Sequence, residues 1–196
     1  MMNTPAIAQS ILDFWFLPQD TAGYGLARSI WFTKDPNFDA QIRTQFGAWV
    51  EQALAGTLSE WEAAPESALA LILLLDQFTR NIYRDTPLAF AGDSRALRLA
   101  QNMVEAGMDR ALLTVQRAFV YLPFEHAEDS AMQARSVALF KRLQQETGAH
   151  LLELDYAVQH QKIIARFQRF PHRNAILSRI STPEEQVFLA QPNSGF

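Results

Sequence analysis

The stretch Leu69 to Arg84, LALILLLDQFTRNIYR, constrains the fold of this chain more than any other, because its character changes abruptly at Asp76. The first half is uniformly apolar. The second carries Asp76, Gln77, Arg80, Asn81 and Arg84 among Phe78, Ile82 and Tyr83. At 3.6 residues per turn, Leu69, Ile72, Leu73, Asp76, Arg80 and Tyr83 fall along one side of a helix, and Leu71, Leu74, Leu75, Phe78 and Ile82 along the other. A helix apolar all round belongs inside a domain, so it draws Asp76 and Arg80 towards the core with it. Charges taken there need partners, and the identity of those partners is the functional question.

The chain supplies ample material for such a core: 196 residues, 48% apolar and 19% charged, with 14 Phe and 4 Trp. That suits one well-packed domain, expected to span 1–196. A formal net charge of −4 offers no general attraction to nucleic acid or to anionic lipid, so neither is expected as a partner. With no cysteine, disulfides, thiol chemistry and thiolate metal sites are excluded, which fits a reducing cytoplasm. The opening MMNTPAIAQSILDFWF has no Lys or Arg before its apolar residues and no small-residue cleavage pattern, so a secretory signal is not expected. The longest apolar run, Ala68 to Leu75, falls far short of the roughly twenty residues of a membrane span. A soluble, cytoplasmic protein is the expectation.

Helix punctuation recurs along the chain. Thr4 and Pro5 read as a cap and first-turn proline before Ile7, Ile11, Phe14 and Trp15, with a stop before Pro18. A loop follows over Gln19 to Lys34, whose Tyr24, Ile30, Trp31 and Phe32 call for burial. Asp35 and Pro36 open a helix that carries Phe38, Ile42, Phe46, Trp49, Val50 and Leu54 and ends near Gly56. Pro65 opens the central helix, expected to reach about Tyr83. Asp93 or Ser94 caps the next, ended by Gly107. Thr114 caps a short helix interrupted by Pro123. Further helices span Ser130 to Glu146 and Leu151 to Phe167, and a Thr182 to Glu185 capping box opens a last one. No stretch alternates as a strand does. The spacing therefore predicts an all-α chain of about eight or nine helices, mostly in antiparallel pairs. No clean internal period accompanies them.

Three polar clusters interrupt apolar sequence. In the first, Asp76 and Arg80 stand four apart, so they meet on a helix surface as an internal ion pair, or serve as a general base and an anion clamp. The second is Glu125, His126, Glu128 and Asp129. A histidine beside carboxylates suits acid–base work near neutral pH. The spacing matches neither His-Glu-x-x-His nor a doubled Glu-x-x-His, so no metal is expected, and Glu128 and Asp129 also suit a helix start. The third comprises His160, the one polar residue on a stripe of Tyr156, Ile163, Ile164 and Phe167, with Arg166, Arg169, His172, Arg173 and Asn174. Successive basic residues at a helix start can hold an anion with help from backbone N–H groups, or form a corner paired with Glu125, Glu128 or Asp129. Phosphate loops, dinucleotide glycine fingerprints and Gly-x-Ser-x-Gly elbows are absent, so no cofactor is expected.

LLLDQFTRNIYR, PFEHAEDSAMQARSVALF, AVQHQKIIARFQRFPHRNAILSR, the following STPEEQVFL and the closing SGF together resemble the bacterial DUF 924 family, a domain of unknown function; DFWF near the start and Trp31 with Phe32 fit as well. The resemblance covers almost the whole chain. It implies an all-helical fold related to tetratricopeptide-like superhelices and brings no established activity. Gln168 stands where the resemblance implies glycine, and Ala127 where it implies serine.

The expectation is a polar cleft that binds a small anionic ligand or short acidic peptide through Arg80, Asn81, Arg84, Arg166, His172, Arg173 and Asn174. The alternatives are a hydrolase that uses His126 or His160 with Asp76 or Glu125, by acid–base or metal chemistry, and a protein-interaction scaffold with no catalytic site. Nothing in the sequence fixes the oligomeric state.

Overall fold

A computed structural model of the chain describes residues 4–148, 151–192 and 195. Among them every regular element is helical and none is a strand. The α-helical segments are α1 (Ala6–Phe16), α2 (Pro36–Ala55), α3 (Pro65–Ile72), α4 (Thr79–Ile82), α5 (Asp93–Glu105), α6 (Thr114–Glu125), α7 (Ser130–Thr147), α8 (Leu152–Phe167) and α9 (Pro183–Leu189). A π-helical stretch, Leu73–Phe78, joins α3 to α4 without a break in helical backbone. No described helix is long and apolar enough to cross a membrane. The chain divides into two compact units, Met1–Arg84 with Leu88–Pro123, and Asp85–Pro87 with Phe124–Phe196.

The first unit is organised around aromatic rings. Trp15 lies 5.3 Å from Phe78, 5.7 Å from Phe119, 5.8 Å from Phe38 and 6.1 Å from Trp31, centroid to centroid. The Gln19 to Lys34 segment is tied down by α1's last carbonyls: Arg28 donates to the oxygens of Phe14 and Trp15 at 2.9 and 2.6 Å, and Trp31 Nε1 to that of Trp15 at 2.9 Å. Of its apolar residues Trp31 is buried, while Phe32 is exposed. α1 begins one residue later than its punctuation implies, with Pro5 in the cap position and no side-chain cap. The α2 signals hold, since Asp35 accepts from the amides of Asn37 and Phe38 and Gly56 ends the helix in the left-handed region.

The helix from Pro65 buries every residue from Ser67 to Thr79, as an all-round apolar helix must. The π turn in its middle was not legible from periodicity. It coincides with a close approach: a Cβ on Gly92 would fall 2.2 Å from the Leu75 carbonyl oxygen and 2.9 Å from its Cα. Gly92, at φ −89°, occupies the position before α5, which Asp93 or Ser94 was expected to take as a cap. Asp93 instead lies in the first turn and reaches Arg80. Pro123 does not interrupt α6, because it stands within the last turn and the helix ends two residues later at Glu125.

In the second unit α7 packs against α8. Asp129 caps α7 by accepting from the Ala131 and Met132 amides at 2.8 and 2.9 Å, and Gly148 closes it at φ 67°. Ile163, Ile164 and Phe170 form a core patch completed by Phe167 and Phe188. Thr182 and Glu185 make the reciprocal capping box that opens α9. α8 closes on Gln168 at φ 59°, the left-handed conformation that glycine adopts without strain.

Two substitutions test these backbone constraints in opposite directions. Gly92→Ala is expected to lower stability by about 3 kcal/mol, since the clash is with main chain that cannot turn aside. Gln168→Gly is expected to raise it by about 0.5–1 kcal/mol through relief of left-handed strain. Denaturant midpoints check both, and an unaltered midpoint for Gly92→Ala would contradict the close approach.

Candidate functional site

In the first unit the charges of the central helix are committed to protein partners. Asp76, with no exposed surface, accepts from Gln77 Nε2 at 2.6 Å and faces Arg80 at 3.6 Å. Arg80 bridges onward to Asp93 at 3.0 Å, donates to the Ala89 carbonyl at 2.7 Å and lies 4.9 Å over the Phe90 ring. Burial alone would weaken the hold of this guanidinium on its proton, but Asp93 and Asp76 outweigh it and raise its pKa above the ordinary arginine value. Asn81 donates to Asp39 Oδ1 at 2.7 Å, and Arg84 engages both oxygens of the same carboxylate at 2.8 to 3.0 Å. Asp39 lies on α2, some forty residues away, and no local signal announces it as the partner. The same holds for a buried set in which Tyr121 donates to Asp109 at 2.6 Å and Arg117 donates to Tyr121 at 3.2 Å.

In the second unit the other two clusters meet around Phe170. Its amide donates to Glu128 Oε1 at 2.7 Å and its carbonyl accepts from Arg179 at 3.1 Å, while Arg179 grips both oxygens of Glu128 at 2.6 and 2.9 Å. Burial would raise the Glu128 pKa, but the bonds from Arg179 and the Phe170 amide, with the charges of Arg179 and Arg173, hold it below the usual carboxylate range. The Phe170 ring, so fixed, carries basic neighbours on several sides. His160 stands edge-on at 5.4 Å, His172 at 5.6 Å, and the Arg173 guanidinium lies 4.5 Å over it. His126 is 6.3 Å from His160, ring to ring. His126 and His172 are half-buried, whereas His160, Arg173, Asn174 and Glu125 are buried.

His160 Nδ1 lies 2.9 Å from the Tyr156 carbonyl oxygen and 3.1 Å from Glu125 Oε1. A carbonyl only accepts, so Nδ1 carries the hydrogen, and in the neutral ring the lone pair sits on Nε2. Burial pushes the His160 pKa down to about 3; its bond to Tyr156 works against this, and the neighbouring charges of His126, Arg173 and His172 add to it. The rim is neutralised separately. Arg166 pairs with Glu184 at 2.8 Å, and Arg169 with Glu185 at 2.6 Å. Asn174 donates to Ser181 and Glu185 and accepts from Arg179. The Arg169 bond holds the Glu185 carboxyl down to about 2. Arg179 and the core role of Phe170 were missed in the sequence; the capping box was the available signal for Glu185. Among the described residues no group of three His or acidic side chains is placed to hold a metal ion.

Fold and site together define an all-helical protein in which a buried histidine rests on a carboxylate beside an arginine and two further histidines. The chain belongs to the family described as bacterial protein of unknown function (DUF924), whose model matches residues 11–193. It is similar to the solved structure of ATU0120, a protein of unknown function from Agrobacterium tumefaciens, at 40% identity over 96% of this chain and 99% of that one, with a TM-score of 0.82. No curated protein matches it.

The environment of His160 sets a pH dependence. Above about pH 6.5 neither the folded nor the unfolded chain protonates this ring; below it the unfolded chain takes up a proton that the folded one refuses until about pH 3, so stability falls across that window. The slope is at most about 1.4 kcal/mol per pH unit. Glu128 and Glu185 act lower, their contribution being complete above the ordinary carboxylate range and lost as pH falls through it. His160→Gln should therefore flatten the loss of stability between pH 6.5 and 5, as measured by urea denaturation. Identical slopes in the two proteins would exclude a buried neutral ring.

Proposed function

We propose that the protein binds a small anionic molecule, or the carboxylates of a short acidic peptide, through Arg173, His172, His126 and His160. The observation that carries this reading is the gathering of basic side chains around the fixed ring of Phe170, with the buried Arg173 guanidinium stacked on it at 4.5 Å. A guanidinium fork held flat in this way loses little freedom when it meets an oxyanion, and burial strengthens the contact. Arg80, Asn81 and Arg84, considered for the same role, engage Asp93 or Asp39, and Arg166 engages Glu184. They supply framework in this reading. The cysteine-free sequence supports a cytoplasmic setting.

A second reading, a hydrolase working by acid–base chemistry, has one observation in its favour: Glu125 and the Tyr156 carbonyl orient His160 as a base is commonly oriented. It concerns the same side chains, so binding is the prior question.

Titration of isotope-labelled protein with inorganic phosphate, and separately with tri-glutamate, provides the test. Saturable shifts are expected at the amides of Phe170, His172 and Arg173 with at least one probe, and Arg173→Met should weaken binding by about tenfold, the loss of a charged hydrogen bond. Absence of saturation with both probes, or equal affinity in a folded Arg173→Met variant, would rule the reading out.

A further inference from the structure

A hollow of about 250 Å³ lies between the start of α7 and the second half of α8, lined by Ser130, Gln133, Gln161, Lys162 and Ala165. Pockets for drug-sized molecules run to about 300–1,000 Å³, so this one suits a smaller occupant. Its polar lining is uncommitted. The arginines Arg166, Arg169 and Arg179 of the same unit are each paired with a carboxylate. Among the described residues the side chains of Ser130, Gln161 and Lys162 meet no hydrogen-bond or ion-pair partner.

Gln133 is the informative member of the set. It is wholly buried, and its Nε2 donates to the carbonyls of Glu125 and Ala127 at 2.6 and 2.8 Å, which fixes the amide. The other half of that amide, Oε1, accepts from nothing among the described residues. A buried acceptor without a donor is unfavourable, and an N–H or O–H brought by a ligand relieves it. The main chain at the start of α7 is not available for an anion, because Asp129 already accepts from the amides of Ala131 and Met132. The charge that a carboxylate meets in this hollow is therefore that of Lys162.

We propose that the hollow binds a small carboxylate that carries an N–H or O–H donor beside it, the chemistry shared by free α-amino acids and α-hydroxy acids. The carboxylate meets the Lys162 ammonium, with the Ser130 hydroxyl and the Gln161 amide as further donors, and the ligand's own donor supplies Gln133 Oε1. A bare carboxylate leaves Oε1 unmet, and a neutral alcohol leaves Lys162 unmet, so the combination is preferred to either part. Ala165 and the aliphatic stem of Lys162 offer apolar surface to a short side chain. This site shares no residue with the cluster around Phe170, and it stands or falls separately from the anion-binding reading of that cluster.

The test follows amide shifts of the isotope-labelled full chain during titration with L-alanine, L-lactate and acetate. Saturable shifts at Ser130, Gln161 and Lys162 are expected with L-alanine or L-lactate, at an affinity about tenfold above that of acetate, which lacks the donor. Gln133 also holds the Glu125 and Ala127 carbonyls, so the variants are made at exposed or half-buried positions instead. Lys162→Met, verified as folded by circular dichroism, should weaken binding at least about tenfold, and Gln161→Ala by a few-fold. Arg173→Met should leave it unchanged. Absence of saturation with both L-alanine and L-lactate, equal affinity for acetate, or undiminished binding in folded Lys162→Met would overturn the proposal. Shifts confined to Phe170, His172 and Arg173 would overturn it as well, and would assign the ligand to the other cluster.

Discussion

A carboxylate with no exposed surface, placed midway along an unbroken apolar helix, governs the first unit. Asp76 is held there by Gln77, which donates to it at 2.6 Å, and by Arg80, which follows one turn later and also meets Asp93. Removal of one member of such a set leaves a buried charge uncompensated, a defect of about 3–5 kcal/mol. The backbone geometry follows from the same requirement. Asp93 is the neighbour of Gly92, and Gly92 is the residue whose missing side chain lets the start of α5 rest against Leu75 in the π turn. Close approach and ion pair are thus two aspects of one contact. One turn further on, Asn81 and Arg84 reach Asp39, and Arg43 donates to the Ile82 carbonyl, so the polar half of the helix fastens α2 as well.

The second unit distributes its charges on a different plan. Its rim is made of paired opposites, Arg166 with Glu184, Arg169 with Glu185 and Arg179 with Glu128. Inside that rim the balance tilts: Arg173, His172, His126 and His160 gather near a single ring, and Glu125 is the carboxylate that meets His160. Low-dielectric surroundings strengthen charge effects, and the anion-binding reading proposed above rests on Arg173 and the histidines around this ring. Phe170 makes the arrangement stiff, since its main chain is held at both polar atoms and its ring sets the spacing of the bases.

Where local chemistry decides, the sequence was readable. Asp35 with Pro36, the glycine stop at 56, the helix start beside Asp129 and the Thr182 to Glu185 box depend on a few adjacent residues, and each is found as its spacing indicates. The complete burial of the central helix was equally legible, because no exposed face could be drawn for it. Features set by distant contacts were not. The π turn lies against Gly92, seventeen residues on from Leu75, and Asp39 becomes the partner of Arg84 only after α2 is in place. At Gln168 the family resemblance carried information that the local pattern lacked: glycine was implied there, and the backbone does adopt φ 59°. Gly92 misled in the opposite sense, since two good capping residues beside it drew attention from the position that the close approach reserves for glycine.

The stripe on α8 bears on whether the second cluster serves stability alone. Ile163 and Ile164 lie on the buried side with His160, and an aliphatic side chain at 160 would pack there without polar demands. The imidazole instead has to be desolvated, kept neutral, and supplied with an acceptor from Tyr156 and a carboxylate from Glu125 that must itself be buried. Replacement of such polar pairs by well-packed apolar groups is often neutral or stabilising, so burial of this pair is weak support for a stabilising role. In the first unit the comparable burial of Asp76 and Arg80 joins one segment to another and accounts for itself through Asp93 and the Ala89 carbonyl. The His160 pair likewise joins α8 to the end of α6, while the contact with Tyr156 lies within α8 and Gln133 Nε2 holds the Glu125 carbonyl at 2.6 Å. In the binding reading proposed above, the same pair orients the ring that the anion meets.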